Sequence, residues 1–517
     1  MKARYVALIA PAALMAGCSL QPIFHRPEAP IAATFPTGEA YKDPAARGTA
    51  LPAAEIGWRD FMADPRLQRM VEIALENNRN LRVSALLVMQ MQAQYRIQRA
   101  QLYPQVNGVA QFQASHTPGG VTTSGTGPGL TFHEYSVGLS VSWTLDFFGR
   151  LRSLRDQALY RYFSTAYARK AFEILLVSQV ADQYVTMLAY DELMAVTRDT
   201  LKSAQDSYNI VKQQFDVGTA AEEILRQAEG VVEQARANYT GYVRLRAQAE
   251  NFLVLLIGQA LPADLPPVVT LDNQKLLTDI PAGLPSELLT RRPDIQEAEA
   301  TLRADNANIG AARAAFFPTI SLTAGVGTAS ATLGGLFSAG SGFWSLVPQL
   351  AQPIFNAGSN RAFLDATKLQ NDIDIANYQN TIQTAFREVA DGLAARGTYD
   401  DQVASLERYV SSQQRFLDLA LMRYKQGVDP YLNVLTAQTY YYTARQALVS
   451  AQMARLTSLV DLYRALGGGW IQNTGEESRP ADVAAPPEWS PTYSEGRKPA
   501  EPRKPCTRSF FSCLFSR

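Results

Sequence analysis

Two long Pro-free runs, each closed by a glycine turn and a shorter return run, constrain this 517-residue chain more than any other feature of its sequence. From Gly358 to Tyr424 there is no Pro and only two internal glycines, Gly392 and Gly397, so a single helix of roughly 100 Å is allowed at about 1.5 Å per residue. The turn Tyr424-Lys425-Gln426-Gly427-Val428-Asp429-Pro430 supplies a glycine suited to a helix end and a proline suited to the first turn of the next helix. The return helix stops at Gly467-Gly468-Gly469, since three successive glycines do not sustain a helix.

The same unit occurs upstream. A run from Gly149 turns at Phe215-Asp216-Val217-Gly218 and returns to Gly258; Gly149 and Gly358, Gly218 and Gly427, and Gly258 and Gly467 are each 209 residues apart. Arg99-Ala100-Gln101-Leu102-Tyr103-Pro104 matches Arg313-Ala314-Ala315-Phe316-Phe317-Pro318 at an offset of 214, so the five-residue difference falls between that Pro and the helix-opening Gly. The chain is an internal duplication. Its predicted divisions are residues 58–258 for the first repeat, 259–284 for a linker and 285–467 for the second repeat, with 468–517 forming an equatorial segment and a Pro-rich, charged tail that reads as disordered.

Between each Pro and the following Gly the period changes from helical to two. Residues Tyr135 to Leu145 alternate apolar with Ser, Gly and Thr, and Val106 to Gln113, Ile320 to Val326 and Trp344 to Phe355 supply three more candidate strands. The predicted hairpins span about 105–146 and 319–355, with strands of about 10 residues, the length of a tilted membrane β-strand. The polar face suits a water-filled lumen, and Tyr135, Trp143 and Trp344 near strand ends suit an aromatic girdle; half-buried hairpins of a soluble protein are the alternative. Four strands cannot close a barrel with a lumen, and open edges are not tolerated in lipid, so the reading requires sharing between copies, twelve strands for a trimer.

Residues 1–17 form a signal peptide: Lys2 and Arg4, an apolar core, then Met15-Ala16-Gly17 before Cys18. Small residues directly before Cys18 resemble a bacterial lipobox, with Met15 where Leu is usual; an ordinary signal peptide with an incidental Cys is the alternative. Residues 18–57 are rich in Pro and read as an extended strap. A helix is predicted from Trp58 to Leu102, with Asp64-Pro65 near its start.

The balance of 48 basic and 48 acidic residues, without a basic stripe, points away from nucleic acid. A mean hydropathy of −0.13 is too low for a bundle of apolar membrane helices. Phosphate-loop, zinc-protease and nucleophile-elbow motifs are lacking, and His25, His116 and His133 have no second ligand spaced nearby, so no enzyme, cofactor or metal site is expected.

The segments Trp58-Arg59-Asp60-Phe61, Leu145-Asp146-Phe147-Phe148-Gly149-Arg150, Arg291-Arg292-Pro293-Asp294 and Leu462-Tyr463-Arg464-Ala465-Leu466-Gly467-Gly468-Gly469-Trp470 resemble the outer-membrane efflux proteins, the TolC-like family. Within it the chain is most similar to the NodT-type lipoproteins of resistance-nodulation-division pumps. The resemblance implies a mainly α fold with a membrane β-barrel: a trimeric channel-tunnel of twelve shared strands, a periplasmic α-helical barrel and an equatorial belt from about Leu261 to Asp294 and after Gly467. It implies a homotrimer in outer-membrane lipid that works with a periplasmic adaptor and an inner-membrane pump of the resistance-nodulation-division or major-facilitator type. It also implies lipidation at Cys18 and passive export of drugs or small toxic compounds. A protein-secretion duct and a non-transporting structural lipoprotein are the alternatives.

The turns at Gly218 and Gly427 are then the periplasmic tip. Relatives constrict it with an acidic ring just beyond the second turn, but the matching positions here are Asn433 and Thr436, both uncharged. The remaining tip groups are Phe215, Asp216, Glu222, Glu223 and Arg226 in the first repeat, and Arg423, Tyr424, Lys425 and Asp429 in the second. Tyr424 and Asp429 are expected to latch onto Arg226 or its neighbours on the adjacent hairpin, with ordinary solvated helix ends as the alternative.

Overall fold

The computed structural model describes residues 19–41, 51–118, 129–277 and 285–475. Its elements are α1 (Pro65–Asn77), α2 (Arg79–Ala100), β1 (Gln105–Thr117), β2 (Leu130–Leu145), α3 (Arg150–Asp216) and α4 (Glu222–Ile257) in the first repeat. The second contains α5 (Pro293–Ala314), β3 (Thr319–Ser330), β4 (Gly342–Ala351), α6 (Ser359–Lys425) and α7 (Tyr431–Ala465). The two long helices have 67 residues each, about 100 Å, and both are entered from a left-handed glycine, Gly149 at φ 74° and Gly358 at φ 85°.

The expected single helix from Trp58 to Leu102 is instead three pieces: a turn at Trp58–Phe61, then α1, then α2. Asp64 caps α1 as its sequence suggests, accepting from the Arg66 amide at 2.8 Å. The second break lies at Asn78, whose side-chain oxygen accepts from the Leu81 amide at 2.9 Å while its Nδ2 donates to the Leu256 carbonyl at 2.7 Å. A cap and a contact far along the chain thus outcompete helix continuation. The last strand also stops earlier than expected, at Ala351, before Pro353, which lacks a ladder donor.

The four strands form one antiparallel sheet in the order β1-β2-β3-β4, leaving β1 and β4 as its edges. Next to the sheet the helices pack in the lateral order α2, α3, α5, α6; farther along, the order is α4, α3, α7, α6. Apolar side chains of α1, α3, α4, α6 and α7 meet in a large core that includes Trp58, Phe61, Val177, Tyr184, Val460 and Tyr463, all at most 2% exposed. A second, separate cluster around Val211, Ala228, Val434 and Ala437 knits the two hairpins near their turns.

The segment Trp58–Phe61 lies between distant parts of the chain. Leu277 donates its amide to the Phe61 carbonyl at 3.1 Å, and the Trp58 amide donates to Ile471 at 2.9 Å. Among the described residues no helix is long and apolar enough to cross a membrane.

Candidate functional site

Pleating sorts the sheet into two chemically different faces. One carries Val106 and Phe112 of β1, Val137, Leu139, Val141 and Trp143 of β2, Leu322 and Val326 of β3, and Trp344, Leu346 and Leu350 of β4, all in matching register. The other carries Gln111, Gln113, Ser136, Ser140, Ser142, Thr323, Gly325, Ser345 and Gln349, with Val109, Leu130, Phe132, Phe343 and Val347 as its large apolar members.

The three girdle candidates fall on the apolar face, at both ends of the sheet. Trp143, beside the helices, donates its Nε1 to the Leu102 carbonyl at 3.1 Å. Toward the opposite end, Tyr135 packs on Phe112 with ring centroids 4.6 Å apart, and Trp344 is 79% exposed. An amphipathic ring with one wet and one apolar side suits a membrane interface.

At the far end of the helices the two turns close through equivalent backbone hydrogen bonds. Thr219 donates its amide to Gln214 at 2.8 Å and Val428 donates to Arg423 at 2.9 Å, while Gly218 and Gly427 take φ of 79° and 72°. Positive φ at both positions explains why glycine terminates each long helix.

The charged groups of the tip pair locally. Arg226 reaches Glu229 at 2.8 Å and Glu222 at 3.2 Å on its own helix, and Glu223 accepts from Gln227. Arg423 holds Asp429 through two bonds, of 2.6 and 3.1 Å, and this guanidinium keeps the Asp429 carboxyl below its ordinary value. Within one copy, therefore, neither Tyr424 nor Asp429 meets Arg226. Tyr424 crosses to the first hairpin at a different residue, donating its hydroxyl to Gln214 Oε1 at 2.7 Å, and its ring lies 5.3 Å from that of Tyr431.

The other named tip residues have modest surroundings. Phe215 is 37% exposed, Thr436 donates back to the Leu432 carbonyl at 2.9 Å, and Asn433 donates its amide to Pro430. Among the described residues no group of three or more His, Cys, Asp or Glu is placed to hold a metal ion.

Two buried polar clusters in the helical wall escaped the sequence reading. In the first, Arg161 of α3 grips Asp305 of α5 at 2.7 and 2.9 Å, and Asp305 in turn faces Asp374 of α6, which accepts from Gln370 at 3.2 Å. Burial, reinforced by the Asp305 carboxyl, pushes Asp374 up to about 7. In the second, buried Arg292 binds Asp294 at 2.6 Å, Glu388 at 2.8 Å and the Ala465 carbonyl at 3.0 Å, so one side chain joins the start of α5, the middle of α6 and the end of α7. The available signal was charge at interior positions of α5, a helix whose Glu299 and Asp305 are both buried.

A sheet with one apolar and one polar face, open at both edges and continuous with a wall of very long antiparallel helices, defines a channel whose strands meet the membrane and whose helices extend away from it. A family model described as outer membrane efflux protein matches residues 70–259 and 284–468, and the chain belongs to that family. It is 47% identical over 482 residues to the toluene efflux pump outer membrane protein TtgC of Pseudomonas putida, covering 93% of this chain and 99% of that one. Over 462 residues it is 42% identical to the cation efflux system protein CusC of Escherichia coli, covering 89% and 97% of the two chains. Among solved structures, the open state of the Neisseria gonorrhoeae MtrE outer membrane channel superposes with a TM-score of 0.78 at 38% identity, covering 88% of this chain and all of that one.

Proposed function

We propose that three copies of this chain close into a lipid-anchored outer-membrane channel. It receives small toxic compounds from an inner-membrane pump through a periplasmic adaptor and passes them outward. The observation that carries this reading is the match between the open edges of the two layers. The sheet ends on β1 and β4, and the wall ends on α6 at one side and on α2 and α4 at the other. Those wall edges leave large apolar side chains uncovered: Leu86, Leu87 and Ile97 on α2, Phe252 and Leu255 on α4, and Phe363, Leu369, Ile373 and Phe416 on α6. Joining α6 of one copy to α2 and α4 of the next would cover them, and would close the sheet at twelve strands.

The strap supports anchoring at Cys18. It runs along α5, where Arg26 pairs with Glu299 at 2.7 Å, Pro22 accepts from Asn306 at 3.0 Å and Leu20 accepts from Arg313 at 3.3 Å. Leu20 therefore lies at the end of α5 that leads into β3. Cys18 itself is outside the described residues, but the strap contacts nearest to it in sequence lie toward the sheet, which supports a lipid carried on the Cys18 sulfur.

The test combines mass and conductance. Light scattering of the purified protein in detergent should give a trimer, and the same preparation should form discrete channels in planar bilayers. Expression beside its pump and adaptor, in a host lacking its own efflux channel, should restore growth on toluene-class solvents or cationic dyes. A stable, folded monomer that conducts nothing would overturn the reading.

A further inference from the structure

The stretches Pro104 to Leu145 and Pro318 to Phe355 spell out both hairpins with their connecting loops, and together they contain a single Asp, Glu, Lys or Arg: Glu134. Their two histidines fall on the apolar face, His116 in phase with Val106 and Phe112, and His133 stacked on Phe112. Glu134 falls on the other face, opposite Gln113 and in phase with Ser136 and Ser140, and it is exposed. The β2–β3 ladder ends at Tyr135 opposite Ser330, so Glu134 stands one residue beyond it, toward the end of the sheet away from the helices.

This inference rests on the three-copy reading, in which the polar face lines the lumen. Three copies then set three Glu134 carboxylates at one level near the outer mouth, with no Lys or Arg in the strands and loops around them. We infer that this ring makes the mouth of the channel cation-selective, so that cationic cargo passes in preference to anions of the same size. Twelve strands about 4.8 Å apart and tilted by about 40° enclose a circle of roughly 12 Å radius, which leaves each carboxylate about 10 Å from the axis. That distance is about one Debye length in 0.1 M salt, so the three fields add on the axis; at 1 M the Debye length is about 3 Å and they do not. Screened Coulomb attraction at the dielectric constant of water then favours a monovalent cation over an anion about four-fold at 0.1 M and hardly at all at 1 M.

The surroundings of Glu134 support a role for the charge itself. Its neighbours on the same face, Gln111, Gln113, Ser115, Phe132 and Ser136, are polar without charge or apolar, so none offsets it. Cross-strand packing on Gln113 asks for a long polar side chain, which Gln would supply as well as Glu, and nothing in the ladder calls for a carboxylate. At the other end of the molecule the signs are mixed: Arg226 stands between Glu222 and Glu229, and Arg423 holds Asp429.

Zero-current potentials of the full-length protein in planar bilayers under a KCl gradient test the ring. In gradients centred near about 0.1 M the parent should pass K⁺ over Cl⁻ about four-fold, and near about 1 M the two ions should pass almost equally. Glu134→Gln should lower the ratio found at low salt by at least about two-fold, and Glu134→Lys should turn the preference toward Cl⁻. Gln113→Lys sets an ammonium opposite the unchanged carboxylate and should cancel the preference as well, in case position 134 tolerates no change. A parent without cation preference at low salt, or the parental ratio kept by both Glu134→Gln and Gln113→Lys in proteins that light scattering shows to be trimeric, overturns the ring and leaves the three-copy reading standing. A monomeric mass for the parent overturns both.

Discussion

Tyr463 lies flat against Phe61, ring centroids 4.0 Å apart, and donates its hydroxyl to the Ile56 carbonyl at 2.6 Å. Residues 407 positions apart thereby fasten the beginning of the folded chain to the end of α7. Gly468 is part of the same joint, because a Cβ there would strike the Tyr463 ring. Tyr463→Phe keeps the stack and leaves the Ile56 carbonyl unpaired, for an expected loss of about 1–2 kcal/mol. Tyr463→Ala opens a cavity and should lose about 3–5 kcal/mol. Thermal melting of the detergent-solubilised protein checks the order; equal midpoints for the two variants would contradict it.

Arg292 joins three helices, and its carboxylate partners are only partly open to water. Arg292→Met removes the charge and leaves Glu388 and the Ala465 carbonyl without their donor, so a loss of about 3–5 kcal/mol is expected, read as less assembled protein in the outer membrane. Arg292→Lys should recover little, since one ammonium cannot reproduce the planar fork that reaches all three partners. Full recovery by Lys would show that charge alone matters there.

Proton linkage at Asp374 runs opposite to the usual carboxylate case. Burial and Asp305 raise it in the folded protein from 3.8 to about 7, so between those values the folded state holds a proton that the unfolded chain has released. Its contribution to stability is fully present at low pH and is lost as pH rises through about 7. Asp182, raised to about 8 by burial and by nearby Asp461 against the opposing effect of Arg464, acts in the same direction. The melting temperature of the parent should fall between pH 5 and pH 8, and Asp374→Asn should flatten part of that slope. An unchanged slope in the variant would sink this account.

The tip bonds differ in what they join. Tyr424 ties the second hairpin to the first through Gln214, while Asp429 ties only its own turn, through Arg423. If these bonds hold the turns together around the pore, Tyr424→Phe should raise single-channel conductance more than Asp429→Ala. The lost tyrosine bond is worth about 1 kcal/mol, roughly five-fold in a two-state population. The double variant should exceed either single one. Conductance equal to the parent in all three would leave closure to packing.

Lipidation is separable from the barrel. Cys18→Ala should abolish palmitate labelling, and the barrel should still reach detergent-extractable membrane fractions because its strands carry their own affinity for lipid. Undiminished labelling would disprove attachment at Cys18.

The long helices, their glycine turns and the alternating strands were legible because each rests on local rules: absence of Pro, φ > 0 at Gly218 and Gly427, and period-two patterning. The break at Asn78 was not, because apolar spacing continues across it and its stabilising partner, Leu256, lies 178 residues downstream. Tyr424 was singled out, but its partner was not, since Gln214 and Arg226 are both near the first turn and only packing decides between them. Asp374 looked like any other charge on a long helix until α5 was laid against it.

From the start of the first strand to the last glycine of each repeat, the two copies differ in length at one place. The offset is 214 through β1 and β3 and 209 through β2 and β4, so the five-residue change lies between the strands of a hairpin and leaves every ladder pair in step. Insertions and deletions there cost the tube nothing, whereas a single residue added within a strand would turn its apolar side chains toward the wrong face. The joint between the strands of a hairpin is therefore free to change in length while the ladder beside it keeps its register.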